Sequence, residues 1–167
     1  GFDNDNLTMG GTGDIRNTAP STGYTGASGT GNVFLTNNTT APAGNRTFEI
    51  SGINASSFTG MFLAWGVQKG GTNANLATGA ELQLHYSIDN GATYTLVSHT
   101  PLVGSTGVSP AWSTMSTITP LPLNASAPNL RLRFTNTSAT VQFRLDDIIL
   151  VGTTNAATIT NVGGTSF

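Results

Sequence analysis

The chain has 167 residues, which suits one domain with a short appendage, and 37% of them are apolar, enough for a core. Only 8% are charged, against about 25% in ordinary soluble domains, and the net charge is −2. That balance leaves no basic footprint for nucleic acid and no apolar run long enough to span a bilayer; without cysteine there are no disulfides or thiolate metal sites. Lys69 is the single lysine, so solubility must rest on Thr, Ser, Asn, Gln and Gly. Such a surface is typical of exported bacterial proteins, and an extracellular or cell-surface location is expected. A start at Gly1 is what a processed or excised piece would show.

In chain order, residues 4–31 come first. They are rich in Gly and Thr with few apolar anchors, and they read as a long loop that wraps the surface. A loop of that length is unusual unless it binds something or is pinned. Gly10-Gly11-Thr12-Gly13 lacks the strand–helix frame of a phosphate-cradling loop. Tyr24 is the ring in this segment that a ligand could reach.

Short strands between turn clusters follow. They are expected at Asn32–Thr36, Arg46–Gly52, Met61–Val67, Ala80–Ile88, Thr93–His99, Met115–Ile118, Asn129–Thr135 and Thr140–Val151. Met61, Leu63, Trp65 and Val67 form one buried row. Leu82, Leu84, Tyr86 and Ile88 form another, leaving Gln83, His85 and Ser87 outside. Regular strands without helices imply an all-β fold: an antiparallel two-sheet β-sandwich, or jelly roll, over residues 1–152. Residues 68–79 read as a second long loop. Residues 153–167 read as a linker to a following module or as a strand that pairs with another sheet.

Ser87-Ile88-Asp89-Asn90-Gly91-Ala92-Thr93-Tyr94 fits the Asp-box pattern Ser-x-Asp-x-Gly-x-Thr-aromatic once. It is a hairpin device: Asp89 accepts backbone N–H bonds across the turn, Gly91 supplies positive φ, and Tyr94 covers the turn. Trp112, after Ser109-Pro110-Ala111, lies outside any clear alternation and is the candidate for an exposed sugar platform.

The strands around Arg131 and Arg144 are expected to form a hairpin at Thr137-Ser138. Keeping the apolar residues on one face then sets Arg133 opposite Gln142 and Arg131 opposite Arg144. Like charges across a ladder repel, so Glu49, Glu81, a ligand or solvent must offset them. Arg131, Arg133, Arg144, Gln142 and His85 would then share a face that could hydrogen-bond sugar hydroxyls or carboxylates; the other reading is a merely solvated face.

In the final strand, Phe143 and Leu145 are out of phase with Ile148 and Leu150. The slip falls on Asp146-Asp147, where a β-bulge would restore the buried face. With Phe2-Asp3, the loop Gly29–Asn32 and the Ser87–Gly91 turn, this strand resembles jelly-roll modules of the galactose-binding-like type, including bacterial carbohydrate-binding modules and reelin-type repeats. The resemblance covers residues 1 to about 152. It implies a structural Ca2+ joining first and last strands, held by Asp3, Asn32 and Asp146 or Asp147 with backbone carbonyls. The other reading leaves those acids solvated or paired with Arg.

Catalytic motifs are lacking. His85 and His99 have no triad spacing, and Glu49 and Glu81, the only glutamates, have no feature placing them in a cleft. Asn-x-Ser/Thr sequons follow from composition. The expected function is therefore a non-catalytic carbohydrate-binding or adhesion module of a secreted or surface protein, with a polysaccharide or glycan as partner. The alternative is a subunit of an extracellular filament or surface layer that self-associates by strand addition.

Overall fold

A computed structural model describes residues 6–29, 31–37, 46–70, 81–102 and 111–154. Ten strands among them build two antiparallel five-stranded sheets, so the fold is the expected all-β sandwich. They are β1 (Thr8–Gly11), β2 (Asp14–Arg16), β3 (Asn32–Leu35), β4 (Arg46–Ile53), β5 (Phe58–Gly70), β6 (Leu82–Ser87), β7 (Thr95–Val97), β8 (Trp112–Ser116), β9 (Leu130–Asn136) and β10 (Gln142–Thr154). The first sheet has the order β1-β4-β9-β6-β7 and the second β2-β3-β10-β5-β8. β1 and β2 lie inside the segment expected to be loop. Their few apolar residues give little alternation, and they exist by pairing with β4 and β3.

The inner faces are the alternating residues read from sequence. Met61, Leu63, Trp65, Val67, Leu82, Leu84, Tyr86, Phe134, Phe143 and Leu145 are all buried. Trp65 meets Phe134 edge to face at 5.2 Å, which locks the two sheets at their centre. β10 carries the expected bulge: its pairing with β5 shifts between Asp146 and Ile149, and Asp147 has φ 49°. Ile148 and Leu150 consequently pack against the same core as Leu145.

The expected hairpin between β9 and β10 does not form. β9 lies between β4 and β6 in the first sheet, and β10 between β3 and β5 in the second. The chain crosses at Asn136, which is fully buried. Its Nδ2 donates to the carbonyls of Leu35, Thr36 and Val141, and its Oδ1 accepts from Ser138 N–H. Ser138 Oγ accepts from the N–H groups of Thr140 and Val141. These bonds satisfy the buried backbone of an arch between sheets, where a hairpin would have closed on itself. Arg131 and Arg133 are thereby separated from Gln142 and Arg144, which lie on the opposite outer surface.

Candidate binding face

The outer face of the first sheet is polar. Glu49, Arg133, His85 and Leu96 stand directly across adjacent strands β4, β9, β6 and β7, with Thr47, Thr135 and Gln83 in a parallel row. Arg131 lies opposite Ser87. Glu49 is the hub: Arg131 Nη1 donates to its Oε1 at 2.9 Å, and Arg133 Nε and Nη2 donate to its Oε2 at 3.0 and 2.8 Å. Tyr94 O–H donates to the same Oε2. Burial alone would raise the Glu49 pKa, but the bonds from Tyr94, Arg133 and Arg131 outweigh it and hold the carboxyl below its ordinary value.

The Ser87–Tyr94 turn sets Tyr94 in place. Asp89 accepts from Ser87 Oγ and from both the N–H and Oγ of Thr93, while Ser87 Oγ accepts from Gly91 N–H. Asn90 and Gly91 have φ of 60° and 87°. A Cβ at Gly91 would stand 2.7 Å from the Tyr94 hydroxyl, so glycine is required both for the turn and for Tyr94's approach to Glu49. The Arg133 guanidinium then lies over the Tyr94 ring, 3.5 Å from its centroid. His85 is held below its usual pKa, first by burial and then by Arg133, and is neutral at pH 7.

The outer face of the second sheet has a different character. Residues 17–29 cross it as a pinned strap, one of the two outcomes expected of so long a segment. Thr18 carbonyl accepts from Arg144 Nη1 and Asn32 Nδ2, and Arg144 Nη1 also donates to Asn32 Oδ1 at 2.9 Å. Tyr24 lies over Gly66, whose missing side chain makes room for it, and its hydroxyl donates to Asp147. Burial and Asp147 together raise the Tyr24 pKa. Trp112 is not the exposed platform expected from sequence. It is 6% exposed, because β8 extends through it and Tyr24 packs beside its ring at 6.4 Å. Gln142 is half-buried opposite Gly70, away from the first sheet.

The structure brings Asn32, Asp146 and Asp147 to one end of the strap; Asp3 lies outside the described residues. Asn32 is buried with its amide spent on Arg144 and two carbonyls. Asp147 accepts from Tyr24 O–H and Ser28 N–H, and Asp146 Oδ1 accepts from Asp147 N–H. Asp146 Oδ2 keeps only a long contact from Ser28 Oγ at 3.4 Å. Ca2+ wants about six to eight oxygens, whereas these oxygens face protein donors. Among the described residues no three His, Cys, Asp or Glu side chains converge to hold a metal. The described oxygens of the expected set are thus engaged by protein donors, and the set is incomplete without Asp3.

Three of the expected ligand residues, Arg131, Arg133 and His85, thus share one face. Tyr24, Trp112, Gln142 and Arg144 share the other, where the strap covers most of them. Glu49 was one of the offsets expected for the arginines, beside Glu81, a ligand or solvent, and the structure pairs it with Arg131 and Arg133. Tyr94 was expected only to cover the turn, and nothing local announces its reach to Glu49.

No protein-family profile matches the chain, and no curated protein matches it. Solved structures similar to it include TmCBM61 in complex with β-1,4-galactotriose, 15% identical over 92% of this chain and 94% of that one, with a TM-score of 0.47. The K3 cleaved adhesin domain of Lys-gingipain from Porphyromonas gingivalis is 13% identical over 87% and 90%, with a TM-score of 0.49. Modules of a Clostridium thermocellum endo-1,4-β-D-xylanase complexed with xylohexaose are 16% identical over 96% of this chain and 28% of that one, with a TM-score of 0.41. At this distance no ligand or residue role transfers from them.

Proposed function

We propose that this is a non-catalytic glycan-binding or adhesion module of a secreted or cell-surface protein, and that it binds through the outer face of its first sheet. The observation that carries the reading is the Arg131–Glu49–Arg133 ladder. Glu49 fixes both guanidiniums, yet Arg131 commits one N–H and Arg133 two, out of about five each. Their side chains remain 28% and 33% exposed. A held, unspent set of donors is what hydroxyl- and carboxylate-rich ligands need, because little rotamer entropy is lost on binding. Affinity electrophoresis through gels containing neutral and acidic polysaccharides tests this. Retardation in at least one gel is expected; a folded sample that none of them retards contradicts the reading.

A second reading, assembly by strand addition, has its own observation. β3 pairs with β10 only from Phe143 to Leu145, so among the described residues β10 is unpaired on that side from Ile148 to Thr154. This stretch has no charge, and Ile149 and Val151 are 53% and 55% exposed beside Phe62. Such an edge accepts an extra strand unless it is guarded. On this reading, removing residues 155–167 or substituting Ile149→Lys abolishes concentration-dependent association in sedimentation. A chain that is monomeric at every concentration contradicts it.

A further inference from the structure

We infer that the ligand of the first sheet's outer face carries carboxylates, as an acidic polysaccharide of the uronate class, and that Arg131 and Arg133 grip it. The inference rests on the glycan-binding reading of that face and narrows it to one class of substrate.

Charge is the first ground. Two guanidiniums face one carboxylate, so the cluster keeps a net positive charge after Glu49 is satisfied. Neutral His85 neither adds to it nor cancels it. Asp89, in the neighbouring turn, is held ionised by its bonds from Thr93 and Ser87, but its oxygens are directed to those groups and pair with neither arginine. The other cations lie away from this face: Arg16 pairs with Asp14 and Arg144 donates to Thr18 and Asn32 on the opposite surface, Lys69 is 1% exposed, and Arg46, on the other side of β4 from Glu49, has its Nε buried. In a chain this poor in charge, the Arg131–Arg133 pair is a localised anion site.

Geometry is the second ground. Arg133 is stacked on Tyr94 and tied through Nε and Nη2, so its Nη1 edge has a fixed direction. Arg131 is anchored through Nη1 alone, which leaves its Nε and Nη2 free as a fork. Planar forks of this kind match carboxylates in paired, charge-assisted bonds. The third ground is the lack of a stacking platform. Tyr94 gives a ring face to Arg133, and Trp65, Tyr86 and Trp112 are buried. Among the described residues of this face, recognition therefore falls to charged hydrogen bonds and not to sugar–ring stacking.

The test is affinity electrophoresis in gels containing polygalacturonate, its fully methyl-esterified form, a neutral galactan, or dextran sulfate. Polygalacturonate is expected to retard the protein at least tenfold more strongly than the ester or the galactan, and less as salt rises. Arg131→Gln, with an unchanged circular dichroism spectrum, should lose at least tenfold, whereas Gln142→Ala on the opposite face should lose nothing. Equal retardation by ester or galactan overturns the carboxylate assignment while leaving glycan binding intact. Equal or stronger retardation by dextran sulfate, or polygalacturonate binding that survives Arg131→Gln, also overturns it, because charge alone would then suffice. No retardation in any gel removes both this inference and the reading beneath it.

Discussion

Glu49 receives four hydrogen bonds from three side chains, two of them cationic, while its own side chain is only 15% exposed. Glu49→Gln should cost about 1–3 kcal/mol, since it breaks charge-assisted bonds without leaving a fully buried charge; urea denaturation measures it. The pH dependence has a definite sign. The folded pKa lies below the ordinary 4.5, so the contribution is present at neutral pH and is lost as pH falls below about 4.5 through the folded value. Wild type should therefore lose more melting temperature between pH 6 and 3 than Glu49→Gln does. Gly91→Ala forces a side chain into φ 87° and against Tyr94. Its cost should be about 1–3 kcal/mol, and retardation by polysaccharide should fall with it because Arg133 loses its support.

Elements, unlike residues, were legible by face more than by neighbour. Period-2 alternation in β5, β6, β9 and β10 identified which side chains are inside, and the slip at Asp146-Asp147 identified the bulge. Alternation reads the same whether the next strand pairs in the same sheet or crosses to the other. The alternation therefore predicts a hairpin where the chain in fact arches at Asn136, and it sets Arg131 against Arg144. Tertiary hydrogen bonding by a single buried amide decided the matter. The first segment was expected as a surface loop that either binds something or is pinned, and its pins, Tyr24 on Asp147 and Thr18 on Arg144, join residues more than a hundred positions apart and leave no local pattern. Tyr24→Phe removes one pin at a cost of about 1 kcal/mol. Because Tyr24 also shields Trp112, acrylamide should quench tryptophan emission more strongly in the variant; unchanged quenching would show that the strap holds without that bond.

At the scale of the whole molecule, the two faces of the sandwich divide the work. The strap covers part of the second sheet's outer face, and Asp147 there is occupied by Tyr24 and Ser28. EDTA tests whether calcium nevertheless ties this end together: a fall of several degrees in melting temperature would show that it does, with oxygens such as those of Asp3 from outside the described residues, and an unchanged melting temperature would remove the calcium expectation. The first sheet's face stays open, with its charge organised and its donors unspent. Low charge elsewhere makes that face stand out electrostatically. The most direct measurement is amide chemical-shift mapping by NMR, titrating galacturonate oligomers or, if the gels retain only on a neutral glycan, oligomers of that glycan. The perturbed amides should cluster at Thr47, Glu49, Gln83, His85, Arg131 and Arg133. A cluster around Arg144, Gln142 and Trp112 instead, or no saturable shift at all, would contradict the assignment of this face.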